Sequence, residues 1–130
     1  MLFEDLSPYR YLPDGDDQEE DRRALNIGWL EPPHPFTTGD VPDRFLVALL
    51  ELCRRPVNRT RGWHFCGFCD SRTPVTVTVD DETLTLGSAE VRARSADGRI
   101  YAAPNLVYHY VETHHYRPPA EFVDAVMVAR

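Results

Sequence analysis

Two segments of the 130-residue chain hold the residue types and spacings that bind metals: Arg61-Gly-Trp-His-Phe-Cys-Gly-Phe-Cys69 and His109-Tyr-Val-Glu-Thr-His-His115. A Cys-x-x-Cys turn puts the sulfurs of Cys66 and Cys69 within reach of one cation. Zinc favours thiolate and imidazole in a tetrahedral shell, so two further ligands are needed. His109 and His114 have the His-x4-His spacing of Cys2His2 zinc sites. In a regular helix of 100° per residue their rings diverge by about 140°, so they share a metal only where the helix tightens or ends near His114. His64, two residues before Cys66, is the alternate ligand, either replacing a helix histidine or standing behind the ligands. His34, between prolines, reads as structural.

The alternative chemistries for this pair are weaker. A redox dithiol expects a following helix that lowers the thiol pKa, and Asp70-Ser-Arg-Thr-Pro74 does not read as one. A zinc hydrolase needs an open coordination position and a base, for which Glu112 or Glu90 is available. The chain nevertheless has no His-Glu-x-x-His, no deaminase-type His-x-Glu with Pro-Cys-x-x-Cys, and no Gly-x-Ser-x-Gly. With two cysteines and at least two histidines at hand, a closed structural site is the expectation.

The elements that must position these ligands follow from the patterning. Residues 1–26 read as an acidic N-terminal arm, interrupted by Pro8, Pro13 and the cluster Asp14 to Asp21, with Phe3, Tyr9 and Tyr11 as possible anchors. Residues 27–130 read as one zinc-binding domain. Asn26 to Leu30 is strand-like. A helix follows, with Asp40 as expected N-cap and an apolar stripe through Phe45, Leu49 and Cys53, and Pro56 ends it. Cys53 on that stripe is a core thiol. Val75 to Leu86 alternates about an Asp80-Asp81 turn, and Glu90 to Ala103 alternates about Asp97-Gly98, giving two hairpins. Pro104 opens a helix to about His114, and a closing helix runs from Ala120 to Val128. The expected class is α+β: a small antiparallel sheet of two hairpins flanked by helices, zinc-stabilised, in the ligand order of a treble-clef-like site.

Composition narrows the function. All 14 basic residues are arginine, which excludes lysine-dependent chemistry such as a Walker-type phosphate loop or a Schiff base. Formal net charge is −7, but residues 51–75 carry 5 arginines against 2 acids. Arg54, Arg55, Arg59, Arg61 and Arg72, beside Trp63, are the candidate patch for an anionic partner, nucleic acid included, although the overall charge weighs against that. An odd count of 3 cysteines argues against a disulfide framework. The acidic start and the lack of a long apolar run set cytoplasmic location, without membrane attachment, as the expectation.

Asp5-Leu-Ser-Pro-Tyr9, Asn26-Ile-Gly-Trp-Leu30, Arg61-Gly-Trp-His64 with Cys66 and Cys69, Leu86-Gly-Ser-Ala-Glu90, and Tyr101 to Pro104 through Tyr108-His-Tyr-Val111, His114, Tyr116, Pro118 and Pro119 together resemble a family of small uncharacterised bacterial proteins common in actinobacteria. That resemblance covers nearly the whole chain. It implies histidines at 109 and 114 acting with the two cysteines, makes His115 a departure from the family pattern, and implies no activity. The reading is a non-enzymatic zinc protein with a structural Cys2His2 site that serves as a protein-interaction module. A nucleic-acid-binding module and a small zinc hydrolase are the alternatives.

Overall fold

The computed structural model describes residues 3–9, 24–59, 64–69 and 72–128. The acidic cluster with Arg22 and Arg23, Tyr11, Arg61 and Trp63 lie outside the described residues. Strand β1 is Ala24–Asn26 and helix α1 is Asp43–Cys53. Strands β2 (Val75–Val79), β3 (Glu82–Leu86), β4 (Glu90–Arg94) and β5 (Ile100–Pro104) follow, then helices α2 (Val107–His114) and α3 (Ala120–Val128).

The chain is α+β, with both hairpins where the alternation places them. Val75 to Val79 pairs antiparallel with Glu82 to Leu86, and Glu90 to Arg94 with Ile100 to Pro104. The two hairpins do not share one sheet. β2 and β3 form their own two-stranded sheet, while β4 and β5 are joined by β1 in the order β1-β5-β4. β1 runs parallel to β5, with Leu25 opposite Tyr101. The physical reason lies in β5 itself: Ile100, Tyr101, Ala102 and Ala103 are all buried, a continuous apolar run that suits a central strand flanked on both edges.

Two local expectations shift. The strand before α1 occupies Ala24–Asn26 rather than Asn26 to Leu30. Gly28, at φ 73°, turns the chain, and a Cβ there would stand 2.7 Å from Val107 Cγ2. The residue at the N-cap of α1 is Pro42, with no side-chain cap, so Asp40 does not serve. A proline there fixes φ at −63° for entry into the helix, and Phe45, Ala48, Leu49 and Cys53 at i, i+3, i+4 and i+8 supply the buried stripe.

Residues 3–9 lie along the free edge of β1. Leu6 N and Tyr9 N donate to Asn26 O and Ala24 O at 2.7 and 2.9 Å, and Asn26 N donates to Ser7 O at 2.8 Å. Side chains reinforce the contact: Tyr116 Oη donates to Asp5 Oδ2 at 2.6 Å, and Gly28 N to Asp5 Oδ1 at 2.9 Å. Phe3 meets Trp29 edge to face at 5.7 Å between centroids.

Between the three-stranded sheet and the helices, Phe122 of α3 is fully buried against the rings of Phe45 and Tyr101 at 6.1 and 6.0 Å. Phe122→Ala removes both ring contacts and leaves a cavity that packed neighbours fill only in part. Urea unfolding is expected to show a loss of about 3–5 kcal/mol.

Candidate metal centre

The cysteines occupy a tight turn that the fold clamps from two sides. Cys69 N donates to Cys66 O at 3.3 Å, closing the turn. Before it, His64 N donates to Gly87 O at 2.8 Å, tying the segment to the connection between β3 and β4. Gly87 has φ 109°, and a Cβ built on it would stand 2.2 Å from His64 O, so only glycine permits this approach. Gly87 N in turn donates to Asn105 Oδ1 at 2.7 Å, and Asn105 is buried where β5 passes into α2. On the other side Phe68 is wedged among Phe36, Tyr110 and His114, with centroids 5.2, 5.9 and 5.7 Å away.

The histidines come from α2. The helix ends at His114 because His115 turns left-handed, at φ 58°, and Tyr116 N reaches back to Tyr110 O at 3.0 Å. His114 therefore stands at the last helical position, and the two imidazoles meet with centroids 5.0 Å apart. The stop that the ligand spacing requires is present, four residues after Tyr110 rather than at the prolines that follow.

Cys66, Cys69, His109 and His114 each offer one donor atom, and the four atoms lie within 4.8 Å of one another. Cys66 Sγ is 3.3 Å from His114 Nε2; Cys69 Sγ is 3.3 Å from His109 Nε2 and 3.4 Å from His114 Nε2. A tetrahedral shell with Zn–S near 2.3 Å and Zn–N near 2.05 Å has S···N edges of about 3.6 Å, so an outward adjustment of a few tenths of an ångström would seat an ion. All three cysteines are free thiols. The donor set and its spacing could hold a metal ion.

Electrostatics point the same way. Burial, with a smaller contribution from the His114 charge, holds His109 below its ordinary 6.5, so the neutral, ligating form prevails at neutral pH. Burial pushes the Cys66 thiol above its ordinary 9.0, while backbone N–H groups of Phe68 and Cys69 act in the opposite direction by stabilising a thiolate. At pH 8 an incoming ion thus displaces a proton from Cys66 but none from His109. Calorimetric zinc titration of stripped protein at pH 8 in buffers of different ionisation enthalpy should show release of about one proton or more per ion, and acidification through the histidine range should expel the metal.

The remaining sequence candidates are placed elsewhere. His64, His34 and His115 are exposed, and among the described residues none joins the donor group. Cys53 is buried on α1, with Sγ 3.7 Å from Asn105 O, and burial pushes its thiol up to about 12. It is a core thiol. Glu112 borders a cleft of about 360 Å³ beside Cys66, Cys69 and His109. Glu90 lies in a different place, accepting from Tyr9 Oη at 2.8 Å and paired with Arg92 at 2.9 Å. Arg55, Arg59 and Arg72 are exposed, whereas Arg54 is held by Glu82 and Glu51 at 2.9 and 3.2 Å, which occupies its guanidinium with acids of this chain.

Sequence reasoning missed Gly87 and Asn105, which position the cysteine turn without being among the four candidate donors. The signal was a glycine at the join of two hairpins and an asparagine directly after a strand-ending proline; both types are used where backbone geometry needs help.

A model of the family described as a domain of unknown function (DUF7919) matches residues 1–127. No curated protein and no solved structure matches the chain.

Proposed function

Because the chain belongs to this DUF7919 family, whose description assigns no activity, we propose its function from the site itself: Cys66, Cys69, His109 and His114 hold a structural zinc ion. The convergence of four donors from two distant segments is the observation that carries this reading. A zinc ion with four protein ligands has no position left for water or substrate, and this favours a non-enzymatic role over a hydrolase. The ion's contribution is to folding. It fastens the 64–69 turn to α2 in a domain whose hydrophobic core is divided among small sheets and short helices.

The protein is read as a zinc-stabilised interaction module with a protein partner, working in the reducing cytoplasm where its thiols stay available to metal. No helix among the described residues is long and apolar enough to cross a membrane. Nucleic acid is the less favoured partner, because Arg54 is already engaged by two glutamates and the chain is acidic overall. Cobalt substitution tests the coordination: Co(II) is expected to give the intense visible ligand-field bands and thiolate charge transfer of a tetrahedral S2N2 centre. Weak bands typical of six-coordinate oxygen ligation would refute it.

A further inference from the structure

A second cavity, of about 340 Å³, opens on the other side of the cysteine turn from the metal-flanking cleft. Its size falls within the range of small-molecule sites. His64, Phe65 and Gly67 of the turn form one wall, Trp29 and Pro32 another, and Tyr110 and Leu106 close the apolar base. The lining is predominantly apolar, and Phe65 is 45% exposed at its mouth.

One polar group in this lining stands out. Glu90 is only 4% exposed, a carboxylate placed at the wall of an apolar hollow. Burying that group is costly unless donors surround it. Tyr9 Oη donates to Oε1 at 2.8 Å, Asn58 Nδ2 to the same oxygen at 3.3 Å, and the Arg92 guanidinium lies 2.9 Å from it. Burial and the Glu90 carboxylate together push the Tyr9 phenol well above its ordinary range, which keeps it a donor. A carboxylate offers two acceptor oxygens, and among the described residues these donors to Glu90 all use Oε1, so Oε2 is the oxygen proposed to receive a donor from a bound molecule. With Arg92 offsetting part of the charge, the site calls for an N–H donor set on a flat apolar body.

We propose that this cavity binds a small aromatic molecule carrying an amine, amidine or comparable N–H donor, with Glu90 as the recognising acceptor and Trp29, Phe65 and Tyr110 as the apolar enclosure. The proposal rests on the metal reading in one respect: the metal-held turn supplies the wall that includes His64, Phe65 and Gly67. Ligand binding and metal occupancy are therefore expected to be coupled, each favouring the same arrangement of residues 64–69.

The test is an NMR titration of the full-length, metal-characterised protein with benzamidine, and in parallel with benzoate, which has the same ring and the opposite charge. Benzamidine is expected to shift the Trp29 indole, His64 and Gly87 resonances saturably, and benzoate to leave them in place. Glu90→Gln keeps an acceptor for Tyr9 and should weaken benzamidine about tenfold. Phe65→Ala, at a position 45% exposed, should weaken it while leaving the metal content unchanged. Failure of benzamidine to shift the cavity residues, equal response to both probes, or unaltered affinity for benzamidine in both variants would overturn the proposal. Saturable benzamidine shifts in a protein found to hold no metal would uphold the cavity and overturn the zinc reading together with the coupling to it.

Discussion

Cys69→Ser and His114→Ala are each expected to release the metal and to lower the thermal midpoint by roughly 10–20 °C. The size of the effect follows from the donor geometry. Cys69 Sγ lies within 3.4 Å of both histidine nitrogens, and His114 Nε2 lies within 3.4 Å of both sulfurs. Loss of Cys69 leaves one sulfur and two imidazoles, and loss of His114 leaves two sulfurs and one imidazole. Structural zinc in small domains is worth of the order of 10 kcal/mol, and losing even half of that in a chain of this size moves the midpoint by the stated amount. Metal content by elemental analysis and calorimetry on the same samples check the result. His64→Ala serves as the comparison: its ring is exposed and outside the donor group, so it should retain the ion.

Gly87→Ala is expected to destabilise the domain by about 3 kcal/mol or more and to weaken metal binding, although residue 87 has no side chain near the ion. Two costs coincide at this position. The backbone sits at φ 109°, which L-residues seldom adopt, and the added Cβ would meet His64 O at 2.2 Å. The contact atom is backbone, so no rotamer change relieves it. Either the His64 N–H···O Gly87 bond opens or the β3–β4 connection shifts, and each outcome moves Cys66, two residues on. Denaturant unfolding reads the first effect, and competition with a chromophoric chelator reads the second. Wild-type affinity together with lowered stability would show that the clamp is independent of the site.

The clustering of Cys66, Cys69, His109 and His114 was readable from residue type and spacing, because Cys-x-x-Cys and His-x4-His are spacings at which thiol and imidazole donors can converge on one cation. The condition attached to the histidines, a helix ending near His114, was also readable, but the device was not. A left-handed His115 is a backbone event that the following Pro118-Pro119 only hints at. Both hairpins followed from alternation, since Val75, Val77 and Val79 face inward between exposed threonines. Their separation into two sheets did not follow, because alternation fixes which face is buried and says nothing about which strands become neighbours. The parallel addition of Ala24–Asn26 to β5 is a pairing of residues about 76 apart in sequence, beyond any local pattern.

The N-terminal residues show the same limit in energetic terms. Asp5 and Tyr9 read as parts of a polar arm interrupted by prolines. Their roles as acceptor for the fully buried Tyr116 and donor to the buried Glu90 depend on partners 111 and 81 positions away. Glu90 itself was legible as an acid with chemical potential, and the fold assigns it to the second cavity instead of the metal. Of the arginine patch, Arg54 was legible as charge but not as a group already neutralised by Glu51 and Glu82.

The most direct test of a structural zinc at Cys66, Cys69, His109 and His114 is metal stoichiometry by elemental analysis on protein purified without a metal-affinity tag. About one zinc per chain is predicted, falling to background in the Cys66→Ala, Cys69→Ala double variant. Absence of near-stoichiometric metal in the unaltered protein, or retention of it by the double variant, would contradict the account.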